Sequence, residues 1–497
     1  AVLLLPTSLA YSDQSWDRHG FLATAVVMLV LGILFFVFTR ATIRDVEFGH
    51  REAFLIVGWG WLTASLLGAL PLWFAVHLSL EPICDAASAV SGADFCFFTN
   101  AAFESVSGFT ATGATIITDG LWGEVGLTPD GRPGLSRGIL LWRAMTHYLG
   151  GMGIIVLGIA ILPLLGVGGM QLFKAEAPGP TADKLAPRIG ETAKLLWKVY
   201  LILTVVLFVL LNIGGMDSFE AICHAMSTMA TGGFSTRAAS VGGFNSPFME
   251  WVIILFMLLG GINFTLHFLV PRLGLSIYLR DAEWRTYIWI IIMGILIISA
   301  ALILGGTTMG YEETVRKSAF QVISIMTTTG FVSTDYEAWS YAPTSLLCLI
   351  FLMFVGGMSG STSGGFKVVR HMLLIRIWIR ELFILNHPRG VRPIRLGTRV
   401  VPEDVVRSIS AFCGAYIALL VLGIAFFSIQ GEDLLTSLTI SAASLGNVGP
   451  GLGDIGPMEN YAGLSALSKW GAMLLMLLGR LEIFTVLVFL SPAFWRR

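Results

Sequence analysis

The sequence predicts an all-α polytopic membrane protein, in which four pseudo-symmetric span–pore-loop–span units surround one pore and extra N-terminal spans precede them. Of the 497 residues, 55% are hydrophobic and 13% are charged, whereas an ordinary soluble chain is about 25% charged. Nine nearly uncharged stretches have the length of roughly 20 residues that a helix needs to cross a bilayer. Four connections between them share a short segment rich in Ser, Thr and Gly. The apolar runs lack the period of two residues that a transmembrane β-barrel requires.

The same composition excludes several classes of protein. A chain with so little polar surface is neither a cytosolic enzyme nor a disordered protein. A net charge of −1 excludes a general nucleic-acid binder, so we expect no nucleic-acid partner. The five Cys residues contain no CxxC metal pair.

The predicted elements follow in order along the chain. The N-terminal region 1–45 contains the end of one span at 1–11 and a second span at 20–39. The later spans are predicted at residues 53–79, 144–168, 195–216, 249–271, 286–308, 345–366, 408–430 and 470–494. Taken in pairs, they define four pore units at residues 50–170, 190–272, 283–380 and 400–497.

Charge placement predicts the orientation in the membrane. The connections 40–52, 174–198, 272–285 and 367–407, with the C-terminal Arg496-Arg497, contain 22 of the 31 Lys and Arg residues. The alternate connections 80–143, 216–250, 309–345 and 431–469 contain only 7 of them, but 18 of the 32 Asp and Glu residues. Since positively charged loops stay in the cytoplasm, the first set is predicted to be cytoplasmic and the second external.

Each of the four external connections contains a similar short stretch, and each stretch marks one copy of a repeating unit of about a hundred residues. They are AFESVSGFTATGAT (102–115), ICHAMSTMATGGFS (222–235), FQVISIMTTTGFVS (320–333) and LTISAASLGNVGPG (438–451). Superposition aligns Ala111-Thr112-Gly113, Ala230-Thr231-Gly232, Thr328-Thr329-Gly330 and Asn447-Val448-Gly449. Thr-Gly pairs are common at loop starts, which is the alternative interpretation. The spans that follow also align, however, through HYLGGMGI (147–154), MLLGGINF (257–264), MFVGGMSG (353–360) and MLLGRLEI (476–483).

Four such loops around a pseudo-fourfold axis favour cation conduction. Non-helical backbone at membrane depth is tolerated where it is buried in protein or lines a water-filled path. Gly permits the backbone angles that aim consecutive carbonyls inward, and rings of carbonyls replace the hydration shell of an ion. The aligned positions contain no carboxylate, which favours a weakly hydrated monovalent cation over Ca²⁺.

These features resemble the superfamily of K⁺ transporters that includes TrkH, KtrB and the eukaryotic HKT proteins. The repeated unit carries the resemblance, together with GGMSGSTSGGFKVVR (356–370) and LLGRLEIFT (477–485). The extra N-terminal spans are similar to those of the TrkH/TrkG/TrkI branch. The resemblance implies potassium uptake across a bacterial inner membrane, with K⁺ as the transported ion, and Gly113 at the first filter position favours K⁺ over Na⁺. The connection 80–101 departs from the family because it looks longer than the usual link.

A Gly- and Ser-rich run interrupts the span 345–366. It includes Gly356, Gly357, Ser359, Gly360, Ser361, Thr362, Ser363, Gly364 and Gly365. Such a run is expected to break the helix, and the resemblance implies an intramembrane loop that closes the pore below the filter. The alternative is a helix-packing surface of small residues.

Arg480 lies in an otherwise apolar span, where a charge is costly. The resemblance implies a position in the pore just below the filter, where Arg480 would act as an electrostatic barrier with the Gly- and Ser-rich loop. The alternative is a structural ion pair inside the bundle. Glu482 is not an obvious mate, because it lies on a different helical face.

The resemblance also implies partners. It implies a homodimer docked on a cytoplasmic TrkA-like ring that binds adenine nucleotides, and this sequence itself contains no Walker or Rossmann fingerprint. The basic excess on the cytoplasmic side favours contact with anionic membrane lipid. Cys84 and Cys96 are a candidate disulfide on the external side. His224 in the second pore segment is expected to be a neutral packing residue.

Other functions fit individual motifs less well. GMSG (357–360) and GLGD (451–454) match intramembrane serine and aspartyl proteases, but the first lacks a His within reach and the second lacks another intramembrane Asp. An unrelated secondary transporter usually has two inverted repeats rather than four parallel units. We therefore predict a transporter and not an enzyme. A Na⁺-coupled or Na⁺-permeable transporter of the same fold stays open as an alternative, as does the choice between a channel and H⁺ or Na⁺ symport.

Overall fold

The computed structural model describes residues 15–39, 50–78, 95–118, 135–160, 189–397 and 399–495. The predicted span end at 1–11, Cys84 and most of the connection 80–101 lie outside these residues. Within them the fold is helical, apart from one antiparallel pair of short strands, β1 (Arg395–Leu396) and β2 (Arg399–Val400). Five of the described helices are long and apolar enough to cross a membrane, and one bent pair forms a sixth candidate. The predicted class, an all-α polytopic membrane protein, is confirmed.

The N-terminal region and unit 1 form α1 (Ser15–Thr39), α2 (His50–Gly68), α3 (Leu70–His77), α4 (Phe98–Phe109) and α5 (Arg137–Ala160). Helices α2 and α3 together make the first span of unit 1. Pro71 lies in the first turn of α3, where a missing N–H is tolerated. Helix α1 packs on α3 at Gly20, where an added methyl group would lie 2.3 Å from the backbone nitrogen of Ala75.

Units 2 to 4 repeat the order of span, short pore helix and second span. Unit 2 contains α6 (Ile189–Ile213), α7 (Ser218–Met229), α8 (Pro247–Gly260), α9 (Phe264–Leu273) and α10 (Ser276–Arg280). Unit 3 contains α11 (Ala282–Leu304), α12 (Tyr311–Met326), α13 (Pro343–Met353) and α14 (Val368–Asn386). Unit 4 contains α15 (Glu403–Ile429), α16 (Leu434–Gly446), α17 (Ala466–Arg480), α18 (Phe484–Leu487) and α19 (Pro492–Trp495). Short 3₁₀ turns lie at Ser240–Phe244, Glu337–Tyr341, Tyr461–Gly463 and Val488–Leu490.

The four pore helices are α4, α7, α12 and α16, and we call the side on which they begin the outer side. Asp217 and Asp433 accept backbone N–H bonds at the starts of α7 and α16. Ser246, Asp281 and Ser465 do the same for α8, α11 and α17. These side chains satisfy N–H groups that have no partner within a helix, so the sequence itself defines where the helices begin.

Two second spans differ from the continuous helices that the hydropathy predicts. In unit 2, α8 and α9 meet at an angle of 95° across residues 261–263. In unit 4, α17 ends at Arg480, and the next residues include Glu482 and Ile483 with positive φ. The predicted spans 249–271 and 470–494 are therefore interrupted and are not continuous helices. In each case a break of three residues changes the mean hydropathy too little to be visible.

The second span of unit 3 is broken over a longer stretch. Residues 354–367 separate α13 from α14, and we call them the intramembrane loop. Gly356, Gly360 and Gly365 have positive φ values of 76°, 73° and 75°, which Gly adopts without steric cost. The predicted helix break within residues 356–365 is confirmed.

A buried ion pair within unit 1 lies next to unit 2 at the outer side. Arg143 of α5 lies against Glu104 of α4, with 2.7 Å between Nε and Oε1, and both side chains are buried. The same guanidinium donates to the carbonyl oxygen of Ser235 in unit 2 at 3.1 Å and covers the ring of Phe234 at 4.0 Å. Since a lone buried charge is costly, the pair holds Arg143 in place, and the contacts of its guanidinium with Ser235 and Phe234 join the two units.

Similar polar links join the remaining neighbours. Glu250 binds Arg316 and Lys317 between units 2 and 3, Glu337 accepts from the Gly453 N–H between units 3 and 4, and Lys469 donates to Asn100 between units 4 and 1. Glu104 and Glu250, two acidic residues of the outer connections, are buried in ion pairs. The four units are thus connected in a closed cycle just outside the pore loops.

We expect Glu104→Gln to destabilise the folded protein. The substitution keeps the size of the side chain but removes the negative charge that faces the buried Arg143 guanidinium, and the loss of one partner of a buried ion pair costs about 3–5 kcal/mol. Glu220→Gln is a matched control, because it breaks a pair with Arg237, whose side chain is 42% exposed, and such pairs contribute about 1 kcal/mol or less. Thermal unfolding of both purified variants in detergent measures the difference. Equal melting temperatures would contradict the structural role of the Glu104 pair.

Candidate functional site

Each pore helix ends in the same turn, in which one residue adopts the left-handed conformation. These residues are Ala111, Thr231, Thr328 and Asn447, with φ values of 51°, 52°, 56° and 54°. The next residue in each unit donates its N–H to a carbonyl five positions back, at 2.8–2.9 Å, in the pairs Thr112–Ser107, Gly232–Ser227, Thr329–Ser324 and Val448–Ala443. The turn therefore satisfies carbonyls at the end of the pore helix and starts the pore loop identically in all units.

This geometry corrects the predicted register of unit 2 by one residue. The glycine that follows has positive φ in every unit, at Gly113, Gly233, Gly330 and Gly449. Gly232 instead corresponds to Thr112, Thr329 and Val448, and Ala230 belongs to the end of the pore helix. The sequence contains two consecutive Gly residues here, so alignment by glycine alone cannot distinguish the two registers. We call the residues Ala111–Gly113, Thr231–Gly233, Thr328–Gly330 and Asn447–Gly449 the filter loops.

The four filter loops contact one another in cyclic order. A methyl group added at Gly113 would lie 2.1 Å from the carbonyl oxygen of Gly232. The corresponding distances are 2.1 Å from Gly233 to Thr329 O, 2.2 Å from Gly330 to Val448 O and 2.5 Å from Gly449 to Thr112 O. Every unit thus packs its glycine against a carbonyl of the next unit, and unit 4 closes on unit 1. Four homologous carbonyls therefore surround a common axis. Any side chain larger than hydrogen at the four glycine positions would prevent this arrangement.

A cavity of about 70 Å³, open to solvent, lies above the filter loops. All four filter glycines line it, as do Arg143, Arg237 and Glu459. Beside it, burial raises the pKa of the Glu337 carboxyl, and the nearby carboxylates of Glu459 and Asp335 raise it further. The outer mouth therefore has acidic groups on the side of units 3 and 4 and basic groups on the side of units 1 and 2.

The intramembrane loop lies directly beneath the filter loops. The hydroxyl of Thr328, a filter residue, accepts the Gly364 N–H at 2.7 Å. Thr231 Oγ1 lies 3.3 Å from Thr362 Oγ1, which itself donates to the carbonyl of Met229 at 3.0 Å. Both Thr side chains that occupy left-handed positions therefore contact the loop. Thr is rarely found with positive φ, so both positions are strained.

Arg480 connects the same loop to unit 1. Its guanidinium donates to the carbonyl oxygens of Thr362 at 2.9 Å and Gly150 at 3.0 Å, and the side chain is 2% exposed. Arg480 forms no ion pair with any residue in the described part of the chain, whereas Glu482 pairs with Arg370. The structural ion pair considered as an alternative is therefore not observed there.

A sequence model of the family described as TrkH, cation transport protein, matches residues 21–497. The chain belongs to the TrkH family. The Trk system potassium uptake protein TrkH of Salmonella typhimurium is 39% identical, over 99% of this chain and 96% of its own length. The Trk system potassium uptake protein TrkG of Escherichia coli is 34% identical, over 99% and 95% of the two lengths.

The crystal structure of the potassium transporter TrkH from Vibrio parahaemolyticus has the same fold. It matches with a TM-score of 0.84 and 34% identity, and the alignment covers 100% of this chain and 97% of that chain. Membership of a cation transport family confirms the predicted transporter class and the prediction that the chain is not an enzyme. The resemblance to the TrkH/TrkG/TrkI branch is also confirmed.

The protease motifs have no catalytic geometry in this TrkH-family fold. The backbone N–H of Ser359 donates to Glu283 at 2.8 Å, and His371 Nε2 contacts the carbonyl of Phe354 at 3.1 Å rather than the serine. In the GLGD motif, Asp454 lies at the outer side, where its N–H donates to Thr436 Oγ1. Neither motif brings a nucleophile and a base together.

Three other side chains near the filter loops complete the comparison with the sequence. Cys96 is disulfide-bonded, but the predicted partner Cys84 lies outside the described residues. His224 is buried and contacts Ser235 Oγ at 3.0 Å, in agreement with a packing role. His147, which the sequence analysis missed, stacks on Phe234 at 4.0 Å behind filter loop 2. Its position at the start of HYLGGMGI was the available signal.

We expect Gly113→Ser to lower the K⁺/Na⁺ permeability ratio. The Cβ atom of the serine would lie 2.1 Å from Gly232 O and would displace that carbonyl. A tenfold loss of selectivity needs a change of only about 1.4 kcal/mol in the difference between the K⁺ and Na⁺ barriers. Gly306→Ser is a matched control, because Gly306 has the same φ of 82° but no atom within 4 Å of an added methyl group. Ion flux into proteoliposomes measures the ratio. An unchanged ratio in Gly113→Ser would contradict the assignment of the filter loops.

Proposed function

We propose that this TrkH-family chain is the pore-forming subunit of a Trk-type potassium uptake system in a bacterial inner membrane. The observation that carries the proposal is the closed cycle of four filter loops, each of which offers neutral oxygens at homologous positions. Rings of neutral oxygens replace the hydration shell of a weakly hydrated cation. The relatives named as potassium uptake proteins support the choice of K⁺ over Na⁺.

The proposed K⁺ ligands follow the corrected register. They are the backbone oxygens of Ala111, Thr112, Gly113, Thr231, Gly232, Gly233, Thr328, Thr329, Gly330, Asn447, Val448 and Gly449. In this set Gly233 replaces Ala230. The Thr side chains at the base of the filter would add hydroxyl oxygens only when the intramembrane loop is displaced, because the loop occupies two of them.

The proposal includes partners. Naming of the relatives as Trk system proteins supports a multi-subunit system, and we propose a homodimer on a cytoplasmic nucleotide-binding ring, with anionic lipid at the basic inner side. The ring would supply the nucleotide site. Pull-down with such a ring and determination of the oligomeric state in detergent address these two parts.

The chain is expected to restore growth of a K⁺-uptake-deficient bacterial strain at low external K⁺. The strain must supply a compatible cytoplasmic partner, and membrane insertion is verified by fractionation. Growth that requires added Na⁺ would indicate a Na⁺-coupled transporter of the same fold. Absence of growth with verified insertion and a functional partner would contradict potassium uptake.

We further propose that Arg480 and the intramembrane loop form one gate below the filter. A cation in the cavity under the filter loops would meet the guanidinium at short range. At about 5 Å and an effective dielectric constant near 20, the repulsion is roughly 3 kcal/mol, which slows conduction about a hundredfold. The loop adds a steric block, and its contacts with Thr231 and Thr328 support its position on the ion path.

Arg480→Ala and deletion of residues 360–364 are both expected to raise K⁺ flux and to preserve the K⁺/Na⁺ ratio. The first removes the charge, the second removes the block, and neither alters the cyclic contacts of the filter glycines. Arg407→Ala serves as the control, because Arg407 is an exposed basic residue on α15. Flux assays on reconstituted, folded protein make the measurement. The gate proposal fails if both variants conduct no faster than the unmodified protein.

A further inference from the structure

The broken end of α8 at membrane depth has carbonyl groups that need partners. The last carbonyls of a helix have none within it, and the membrane interior offers no bulk water. Tyr287 on α11 donates its hydroxyl to Leu258 O at 3.2 Å. His267 on α9 donates Nε2–H to Leu259 O at 2.9 Å. Two more carbonyls follow at the break.

Those two carbonyls are satisfied by the intramembrane loop. Gly260 O lies 3.1 Å from Thr362 Oγ1, which shares its single O–H between this carbonyl and that of Met229, and Gly261 O accepts from the Met358 N–H at 2.9 Å. In the opposite direction, the Phe264 N–H at the start of α9 donates to Gly360 O at 3.1 Å. The break in unit 2 and the loop of unit 3 therefore complete each other's backbone hydrogen bonding.

Glu283 holds the loop from a second direction. Its buried carboxylate, in the first turn of α11, accepts the N–H groups of Ser359 at 2.8 Å and Val369 at 3.2 Å. Ser359 belongs to the loop and Val369 to the first turn of α14, so one oxygen fixes the loop and the helix that follows it. Charge-assisted hydrogen bonds of this kind are about twice as strong as neutral ones.

The two attachments are the two ends of one chain segment, residues 260–283, which we call the inner hairpin. It starts at the break after α8, runs through α9 and α10, and ends at Glu283. With His267 Nε2 donating to Leu259, its Nδ1 accepts the Tyr278 hydroxyl at 2.7 Å and thereby joins α9 to α10. Asp281 caps α11 and fixes the orientation of the next turn. The hairpin is therefore braced internally between its two points of contact with the loop.

We propose that the inner hairpin is the latch of the gate. Glu283 is the positioning residue that keeps the intramembrane loop under the filter, and the break at residues 260–264 is its docking site. This inference rests on the proposed gate. Displacement of the hairpin releases the loop at both attachments together, because the hairpin moves them as one piece. The inner end of the hairpin lies on the side predicted to be cytoplasmic, where a regulatory protein has access.

Glu283→Gln tests the latch in the full-length protein. The variant keeps the shape of the side chain but removes its charge, and we expect K⁺ flux into proteoliposomes to rise about fivefold. The K⁺/Na⁺ ratio should stay unchanged, because Glu283 holds Ser359 and Val369 while the filter glycines keep their cyclic contacts. Tyr278→Phe, which removes only the hydroxyl that braces the hairpin, should raise the flux by a smaller factor. Glu381→Gln on the exposed surface of α14 is the control.

A double variant separates a latch from general loosening of the fold. If Glu283 acts through the loop, Glu283→Gln combined with deletion of residues 360–364 conducts no faster than the deletion alone. The latch would be overturned if the effects of the two changes on K⁺ flux multiply in the double variant. It would also be overturned if the Glu283→Gln flux equals that of the unmodified protein. A deletion variant that conducts faster while Glu283→Gln does not refutes the latch and leaves the gate intact. Absence of K⁺ flux in all variants would instead refute the proposed function.

Discussion

Backbone that leaves a helix inside the membrane must satisfy its N–H and C=O groups without bulk water, and this constraint shapes every part of the site. The left-handed residue at the end of each pore helix turns the chain and pairs the carbonyls of the last helical turn with the first loop amides. It leaves the later carbonyls of the loop unused by the helix. In four copies, those carbonyls contact the neighbouring glycines in a cycle. The filter loops are thus a consequence of how the pore helices end.

A cycle of loops keeps its geometry only if the units behind it do not shift. The links that close the cycle of four units lie at the outer side, next to the filter loops, and most of them involve buried charged or amide side chains. A buried charge that loses its partner is costly, so relative movement of units at this level is strongly disfavoured. On the inner side, three of the four second spans are broken or bent near the aligned Gly pair. The structure is therefore rigid at the filter loops and adaptable below them.

The repeated sequence unit was sufficient to predict the four pore helices, their loops and the interrupted span of unit 3, because each depends on residues adjacent in the chain. The register of unit 2 was not predictable, since Gly232 and Gly233 are equally good at the glycine position until the neighbouring carbonyl of Thr329 is located. The pairing of Arg143 with Glu104 was also out of reach, because its partners lie on different helices. Likewise, the break at residues 261–263 depends on hydrogen bonds from another unit. Its local sequence, MLLGGINF, differs little from HYLGGMGI in the unbroken helix α5 of unit 1.

The hydrogen bonds of the intramembrane loop explain how a gate can move without altering selectivity. The loop binds the hydroxyl groups of Thr231 and Thr328 and the carbonyl of Met229, which belongs to a pore helix. None of these described contacts uses the carbonyls of Thr112, Gly232, Thr329 and Val448 that face the filter glycines. When the loop leaves, water or the permeating ion can take over the freed hydroxyls and carbonyls, because the space then becomes part of an aqueous path. The cyclic contacts of the filter loops lose nothing in this exchange, so in the proposed gate opening and selection would use separate sets of oxygen atoms.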